Sequence, residues 1–485
     1  MFNKIIKLLL IALILFTPVA FGAMEIWALS LMELAILFIV ILWAVQTGIV
    51  RLLASETSSD FASGDPCLSG RRARFLIPMV LLALFLLLIL FQTVSLPSGI
   101  LNILSPRTLA LRSALSLEAP ASSFPLSLSP FLTQIEFFKW LTLAGLFVFL
   151  LGWTPLEQSD RTKKQLLVVV MTAGVLESLY GMFEFFSGHR HILNVGAETL
   201  VSAATGTFIN RNYFAGYLLM AIPLSMGFLF SREAARTDRY GGWRHWLSSL
   251  DGKTLLIGFC VIVMILGLLF SASRMGILSL LLSFSLIILF FRGSRKGGAF
   301  SKGSILILGL AILWAAWIGL DAVINRFFTA SEDFKGRWEF WVNTFQIYRD
   351  FPIFGSGLGT FFQVFPMYRS DHIMGLVTHA ENDFLQLLSE TGTLGTGLLA
   401  ILFFILLWKI LSGIRVLAHG EPARYIAIGG LVGILALMLH SLVERNIQVP
   451  ANAFLYTFVF ALVLKISTAK ADSKRDALIT KSGNQ

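Results

Sequence analysis

The chain is poor in charge, in cysteine and in the short motifs that soluble enzymes use. Only 14% of its 485 residues are charged, against 56% apolar residues and a mean hydropathy of +0.79, which excludes an ordinary soluble domain. There are 2 cysteines, Cys67 and Cys260. They offer no disulfide framework and no Cys/His spacing for zinc. No Asp-x-Asp occurs, so the carboxylate pair that holds a nucleotide-sugar–metal complex is missing, and any glycosyl donor is expected to be something other than a nucleotide sugar. No Gly-x-Ser-x-Gly is present for a serine hydrolase. Gly252-Lys253-Thr254 falls short of a phosphate-binding loop, because Leu247 stands where the first glycine is required. Gly355, Gly357 and Gly359 follow Pro352 and Phe354 without the strand-to-helix context of a dinucleotide site. They read as a tight turn. No internal repeat is visible.

What the chain does have is membrane-length apolar runs. Spans of about 17–25 apolar residues cross a bilayer as helices. Twelve are expected, at roughly 5–22, 26–50, 75–93, 135–152, 165–186, 213–230, 254–273, 275–291, 304–320, 392–411, 425–443 and 451–466. Strand-type alternation is absent, which argues against a β-barrel. The expected fold class is therefore an all-α polytopic membrane protein of about 12 transmembrane helices, with a large outer loop between helices 9 and 10. Residues 1–320 would hold the first nine spans, 321–391 the loop, 392–466 the last three spans, and 467–485 a polar, disordered tail. The Ser/Pro/Leu-rich stretch 94–133 reads as a re-entrant or interfacial segment.

Charge sets the orientation. With both termini inside, 26 of the 38 Lys and Arg residues fall on inner segments, notably around Arg71–Arg74 and Arg292–Lys296, as the positive-inside rule requires. The net charge of +10 then reflects topology and anionic lipid, and needs no nucleic-acid partner. Lys4, Lys7 and the run to Ala23 also resemble a cleaved signal peptide. A second apolar run follows at once from Ile26, and removing the first span would leave the charge bias unsupported, so it is kept as span 1.

Polar chemistry is concentrated in an island from Asp321 to Gly392, which carries Arg337, Arg349, Arg369, His372 and His379 beside Trp338, Trp341 and Tyr348. Thr378-His-Ala-Glu381 reads as a capping box that opens a helix running to Glu390. His379 would lie in its first turn, where the helix dipole keeps the imidazole neutral and basic. Asp383, Gln386 and Glu390, at offsets of 4, 7 and 11, share one polar face. Phe384, Leu385 and Leu388 supply an opposite, buried face. The alternative is an exposed loop histidine. His189, His191 and His372 have weaker context, and His440, inside a span, suits a local hydrogen bond. Trp338, Trp341, Phe345 and Tyr348 fall on one helix face, either an interfacial anchor or a sugar-stacking platform. Arg211, Arg274 and Arg337 all fall at outer ends of spans. Converging, they would clamp an anion bidentately. Singly, they would snorkel to the interface. Glu177 and Glu184 inside span 5 favour a transporter.

These residues resemble the O-antigen ligase and O-antigen polymerase superfamily of bacterial membrane glycosyltransferases. The likeness rests on Gly336-Arg-Trp338, Pro352-Ile-Phe-Gly-Ser-Gly357, His379-Ala-Glu-Asn382 with Phe384-Leu-Gln386 and Glu390-Thr-Gly392, and on the flanking Gly206-Thr-Phe-Ile-Asn-Arg-Asn212 and Ser273-Arg274. Many members carry an aromatic residue or a second histidine where this chain has Glu381 or Asp383. The resemblance implies an inner-membrane enzyme. Its donor would be a glycan on undecaprenyl diphosphate at the periplasmic face, and its acceptor lipid A-core, a growing glycan or a protein. It implies no cofactor and no metal. His379 would be the base and Glu381 either a cap or a second catalytic group. Arg211, Arg274 and Arg337 would bind the diphosphate. A repeat-unit polymerase of the same superfamily, a protein O-glycosylating enzyme, a lipid-linked oligosaccharide flippase and a non-catalytic scaffold are the alternatives.

Overall fold

In hydrocarbon every backbone N–H and C=O must be satisfied within the segment, so apolar runs of membrane length become helices. The computed structural model describes residues 2–57, 66–115, 122–188, 192–194, 203–234, 251–291, 297–318, 330–371, 373 and 375–482. His189, His191, His372 and the basic stretch 292–296 lie outside the described residues. In chain order the helices are α1 (Phe2–Val19), α2 (Ile26–Thr57), α3 (Pro66–Thr93), α4 (Ser98–Leu104), α5 (Pro106–Leu115), α6 (Pro130–Gly152), α7 (Thr154–Gln158), α8 (Asp160–Ser187), α9 (Arg211–Ala234), α10 (Gly252–Phe270), α11 (Arg274–Phe291), α12 (Gly297–Ile318), α13 (Ala330–Asp350), α14 (Phe361–Val364), α15 (Asp383–Val416), α16 (Pro422–His440) and α17 (Pro450–Ser482). The chain is an all-α, multi-pass membrane protein. Eleven of the described helices are long and apolar enough to cross a bilayer. The ninth expected span is a shorter apolar stretch within α12, Gly303–Trp317.

The bundle is organised around α9. Its membrane window is 100% buried, against 22% for α2, so α9 is the centre and α2 faces lipid. α9 packs most closely against α16. The approach is close because glycine faces glycine: a Cβ on Gly429 would strike the backbone of Pro223 and Gly227. Small residues at such crossings let helix backbones meet where no hydrophobic effect drives association.

Two stretches take a definite shape. The described residues of 94–133 form a clasp: β1 (Ser95–Pro97) pairs antiparallel with β2 (Ser123–Pro125), and α4 and α5 lie between them in the chain. Arg112 Nη2 donates to Ser127 O and Leu128 O at 2.8 and 3.0 Å, and this holds the clasp beside residues 356–358 through Leu128 N→Ser356 O. After Ala469, where composition predicts disorder, the backbone of α17 stays helical to Ser482. A helix already nucleated by its span extends through Ala, Lys and Asp at little cost.

Candidate active site

Successive spans run antiparallel, so the starts of α9, α11, α15 and α17 share one end of the bundle with the close of α16. Two of these starts are arginines. Arg211 opens α9 and Arg274 opens α11, both half-buried. The turn before Arg211 is pinned by Glu177, a buried carboxylate of α8 that accepts from Thr207 N and Oγ1 at 2.8 Å each. That engagement gives one intramembrane carboxylate of the transporter reading a structural job.

The described residues of 351–382 lead into α15 and lie against it. Gly355 and Gly357 have φ of +74° and +111°, a region open to glycine and strained for other residues. Gly357 N donates to Glu390 O and Ser356 N to Ser389 O, each at 3.0 Å. A side chain at Gly355 would collide with the backbone of Glu390. The glycine series is thus a turn docked onto α15, as its sequence context indicates. Gly392, at φ +64°, breaks α15 nine residues after its start.

The start of α15 corrects the capping-box expectation. The cap is Asn382, whose Oδ1 accepts from Phe384 N and Leu385 N at 3.1 and 3.0 Å. Glu381 sits at φ +51°, outside helical space, so it caps nothing, and His379 lies in the preceding loop instead of the first turn. The two faces of α15 are also reversed. Asp383, Gln386 and Glu390 are buried, while Phe384, Leu385 and Leu388 are half-buried. The polar groups turn inward because they satisfy loop backbone. Asp383 Oδ2 accepts from Asn446 N and Ile447 N at 2.8 and 2.7 Å. Glu390 Oε1 accepts from Phe361 N at 3.1 Å. Gln386 bonds Ala380 N, Glu390 and Gln448.

Sequence reasoning missed the connector 441–449 between α16 and α17, which Asp383 holds. It delivers Glu444 and Arg445 to the site in opposite directions. Glu444, 3% exposed, pairs with Arg337, whose Nη1 also donates to Val443 O at 2.8 Å. Arg445 reaches His379: Nη1 lies 3.3 Å from Nδ1, and Thr378 Oγ1 lies 2.9 Å from the same nitrogen. Tyr213, in the first turn of α9, lies near the Arg445 guanidinium. Partial burial, then Arg445 and Lys139, pull the His379 pKa from 6.5 to about 2, so the imidazole is neutral. The neutral state matches expectation, but its cause is desolvation and neighbouring cations. The signal in the sequence was an adjacent Glu-Arg pair in a connector too short to solvate itself.

Two cavities adjoin at this end, sharing Trp140, Leu387 and Gln448. One, of about 290 Å³, is walled by His379 and Arg445 with Glu136, Gln386, Glu390 and Phe362. The other, of about 440 Å³, is apolar and lies between α6, α15 and α17, with Leu143, Phe147, Leu399, Phe403 and Phe460 in its wall. Lys139, paired with Glu136 at 2.5 Å, stands at their border. Among the described residues the polar cavity's wall includes neither Arg211, Arg274 nor Arg337. Of the three, Arg337 reaches the connector, through Glu444 and Val443 O, while Ser273, the neighbour of Arg274, has its Oγ 3.4 Å from Nε2 of His440 at the close of α16. Trp338 and Phe345 on α13 are exposed, in keeping with an interfacial face. Arg349 and Arg369 are exposed as well.

Residues 259–400 match the family described as O-antigen ligase. The matched segment includes Arg274, Arg337, His379 and Glu381, and the match supports the O-antigen ligase superfamily for this chain. No curated protein matches.

Proposed function

We propose, on the premise that residues 259–400 align with the O-antigen ligase family, that this chain is a glycosyltransferase of the ligase or polymerase type. It transfers a glycan from a polyprenyl diphosphate to an acceptor hydroxyl at the outer face of the inner membrane. The observation that carries this reading is the pair of adjoining cavities, one apolar, the other polar and holding a neutral imidazole. A donor with a hydrocarbon tail and a sugar head needs that combination. Glu136, Gln386, Glu390 and Gln448 supply hydrogen-bonding groups for a sugar ring, and Trp140 and Phe362 supply apolar faces.

The chemistry follows from charge. As the anomeric carbon separates from the diphosphate, negative charge grows on the leaving oxygen, and guanidinium groups stabilise it. Arg211 and Arg274, at the amide-rich starts of α9 and α11, take that role, since helix N-termini favour anions. Arg337 acts through its pair with Glu444, which seats the connector. His379 receives the acceptor's proton as the oxygen attacks. Direct displacement inverts the anomeric centre. Because arginines supply the positive charge, activity persists after chelation. Replacing His379 with Ala removes transfer and leaves donor binding intact; wild-type product yield from that variant overturns the base assignment. Glycan analysis of a deletion strain separates the acceptors: unligated lipid-linked polymer marks a ligase, and accumulated single repeats mark a polymerase.

A further inference from the structure

Base and leaving group compete for one side chain. A guanidinium carries N–H donors and no acceptor, so at the 3.3 Å contact between Arg445 Nη1 and His379 Nδ1 the histidine nitrogen accepts. A neutral ring then carries its hydrogen on Nε2. The nitrogen with the free electron pair is covered, by Arg445 on one side and by Thr378 Oγ1 at 2.9 Å on the other. Arg445 is lightly held. It is half-buried, and its buried Nε has no hydrogen-bond partner among the described residues. The guanidinium also lies near Tyr213, two residues beyond Arg211 and on the diphosphate side of the site. The other charged groups around His379 are Lys139 on α6 and, in the cavity wall, Glu136 and Glu390. None of these covers Nδ1.

We infer that Arg445 is a positioning residue that covers the basic nitrogen of His379 until a diphosphate draws it away, so that donor binding itself uncovers Nδ1. This rests on the donor reading above. Once Arg445 has left, the Thr378 hydroxyl is the one group still against Nδ1; its hydrogen rotates freely about the Cβ–Oγ1 bond, and as it turns aside the acceptor hydroxyl gives its proton to that nitrogen. Its oxygen forms the new bond to the anomeric carbon, and the bond from that carbon to the diphosphate oxygen breaks with both electrons leaving on the diphosphate. The acceptor is thereby activated only when the leaving group is seated.

The test is 15N NMR of histidine-labelled wild-type protein in lipid at pH 8, with the His379 signals identified by their loss in His379→Asn. Without ligand, Nδ1 should give an unprotonated, hydrogen-bonded signal and Nε2 a protonated one. Addition of inorganic diphosphate, and separately of a short-chain polyprenyl diphosphate, should move the Nδ1 signal downfield as its donor leaves. Response to the lipid form alone assigns the trigger to the donor, and response to both assigns it to the diphosphate group. Arg445→Ala should show the displaced signal with no ligand present. If that variant does not fold, the wild-type titration decides. A protonated Nδ1 in the free protein overturns the inference. So does an unmoved Nδ1 signal when retention of radiolabelled polyprenyl diphosphate shows that it has bound, and that result leaves the donor reading standing. Failure of the lipid diphosphate to bind overturns both.

Discussion

Replacing Asp383 should release the connector that carries Glu444 and Arg445. One carboxylate oxygen of Asp383 accepts from the backbone N–H of both Asn446 and Ile447, at 2.8 and 2.7 Å, and Asp383 is 5% exposed. Asp383→Ala leaves two backbone donors, one buried and one half-buried, without an acceptor. Each such loss costs about 1–3 kcal/mol, so the pair amounts to roughly 2–6 kcal/mol. Asp383→Asn keeps an oxygen in place and loses only the charge assistance, about half the strength of each bond. It should cost about 1–2 kcal/mol. Because every ~1.4 kcal/mol is tenfold in an equilibrium, a mid-range loss of ~4 kcal/mol raises the population of the locally open form about a thousandfold. Hydrogen–deuterium exchange of the peptide covering 441–449 reads this directly, with Asp383→Ala fastest, Asp383→Asn intermediate and wild type slowest. Transfer activity should fall in the same order, since Arg445 is positioned by that peptide. Unchanged exchange in Asp383→Ala refutes the anchoring role.

Arg337→Ala strands the carboxylate of Glu444 in a site where it is 3% exposed. The expected loss is about 3 kcal/mol, the low end for a buried pair because Arg337 keeps some solvent contact. The double variant Arg337→Met/Glu444→Met should regain most of it in thermal unfolding, and a single variant as stable as wild type contradicts the pairing. For pH, burial and the neighbouring Arg445 and Lys139 hold His379 below its ordinary 6.5, so a base that must be neutral stays active well into acid. The acidic limb of kcat/KM, which reports the free enzyme, should lie below 6.5, and Lys139→Met, which removes one of the two cations, should raise it. A wild-type limb at or above 6.5 opposes the assignment.

The membrane scaffold was legible because long apolar runs report directly on the bilayer. Gly355 and Gly357 were legible as a turn because their context excluded a nucleotide site. The helix start near His379 was misread by four residues. Thr378 and Glu381 have the spacing of a capping box, but Asn382 is a better cap, and the left-handed backbone at Glu381 depends on docking that local sequence does not encode. The inward face of α15 was misread for a related reason. In water a face of Asp, Gln and Glu looks outward, whereas here it serves the backbone of two loops and leaves Phe384 and Leu387 to the apolar cavity. Glu444 and Arg445 were passed over because their partners, Arg337 and His379, are more than 60 residues away, and pairing at that distance is a property of the fold.

The burial of α9 on every side also limits how such a scaffold can change length. A residue inserted into lipid-facing α2 exchanges one apolar contact with the bilayer for another. Inserted into α9, it turns the remainder of the helix by about 100° and advances it by about 1.5 Å. That would carry Gly227 off Gly429 and swing Arg211 away from the turn that Glu177 holds. Length variation in proteins built on this plan should therefore gather in loops and peripheral helices, with the segment Arg211–Ala234 acting as a ruler of fixed length between the two membrane faces.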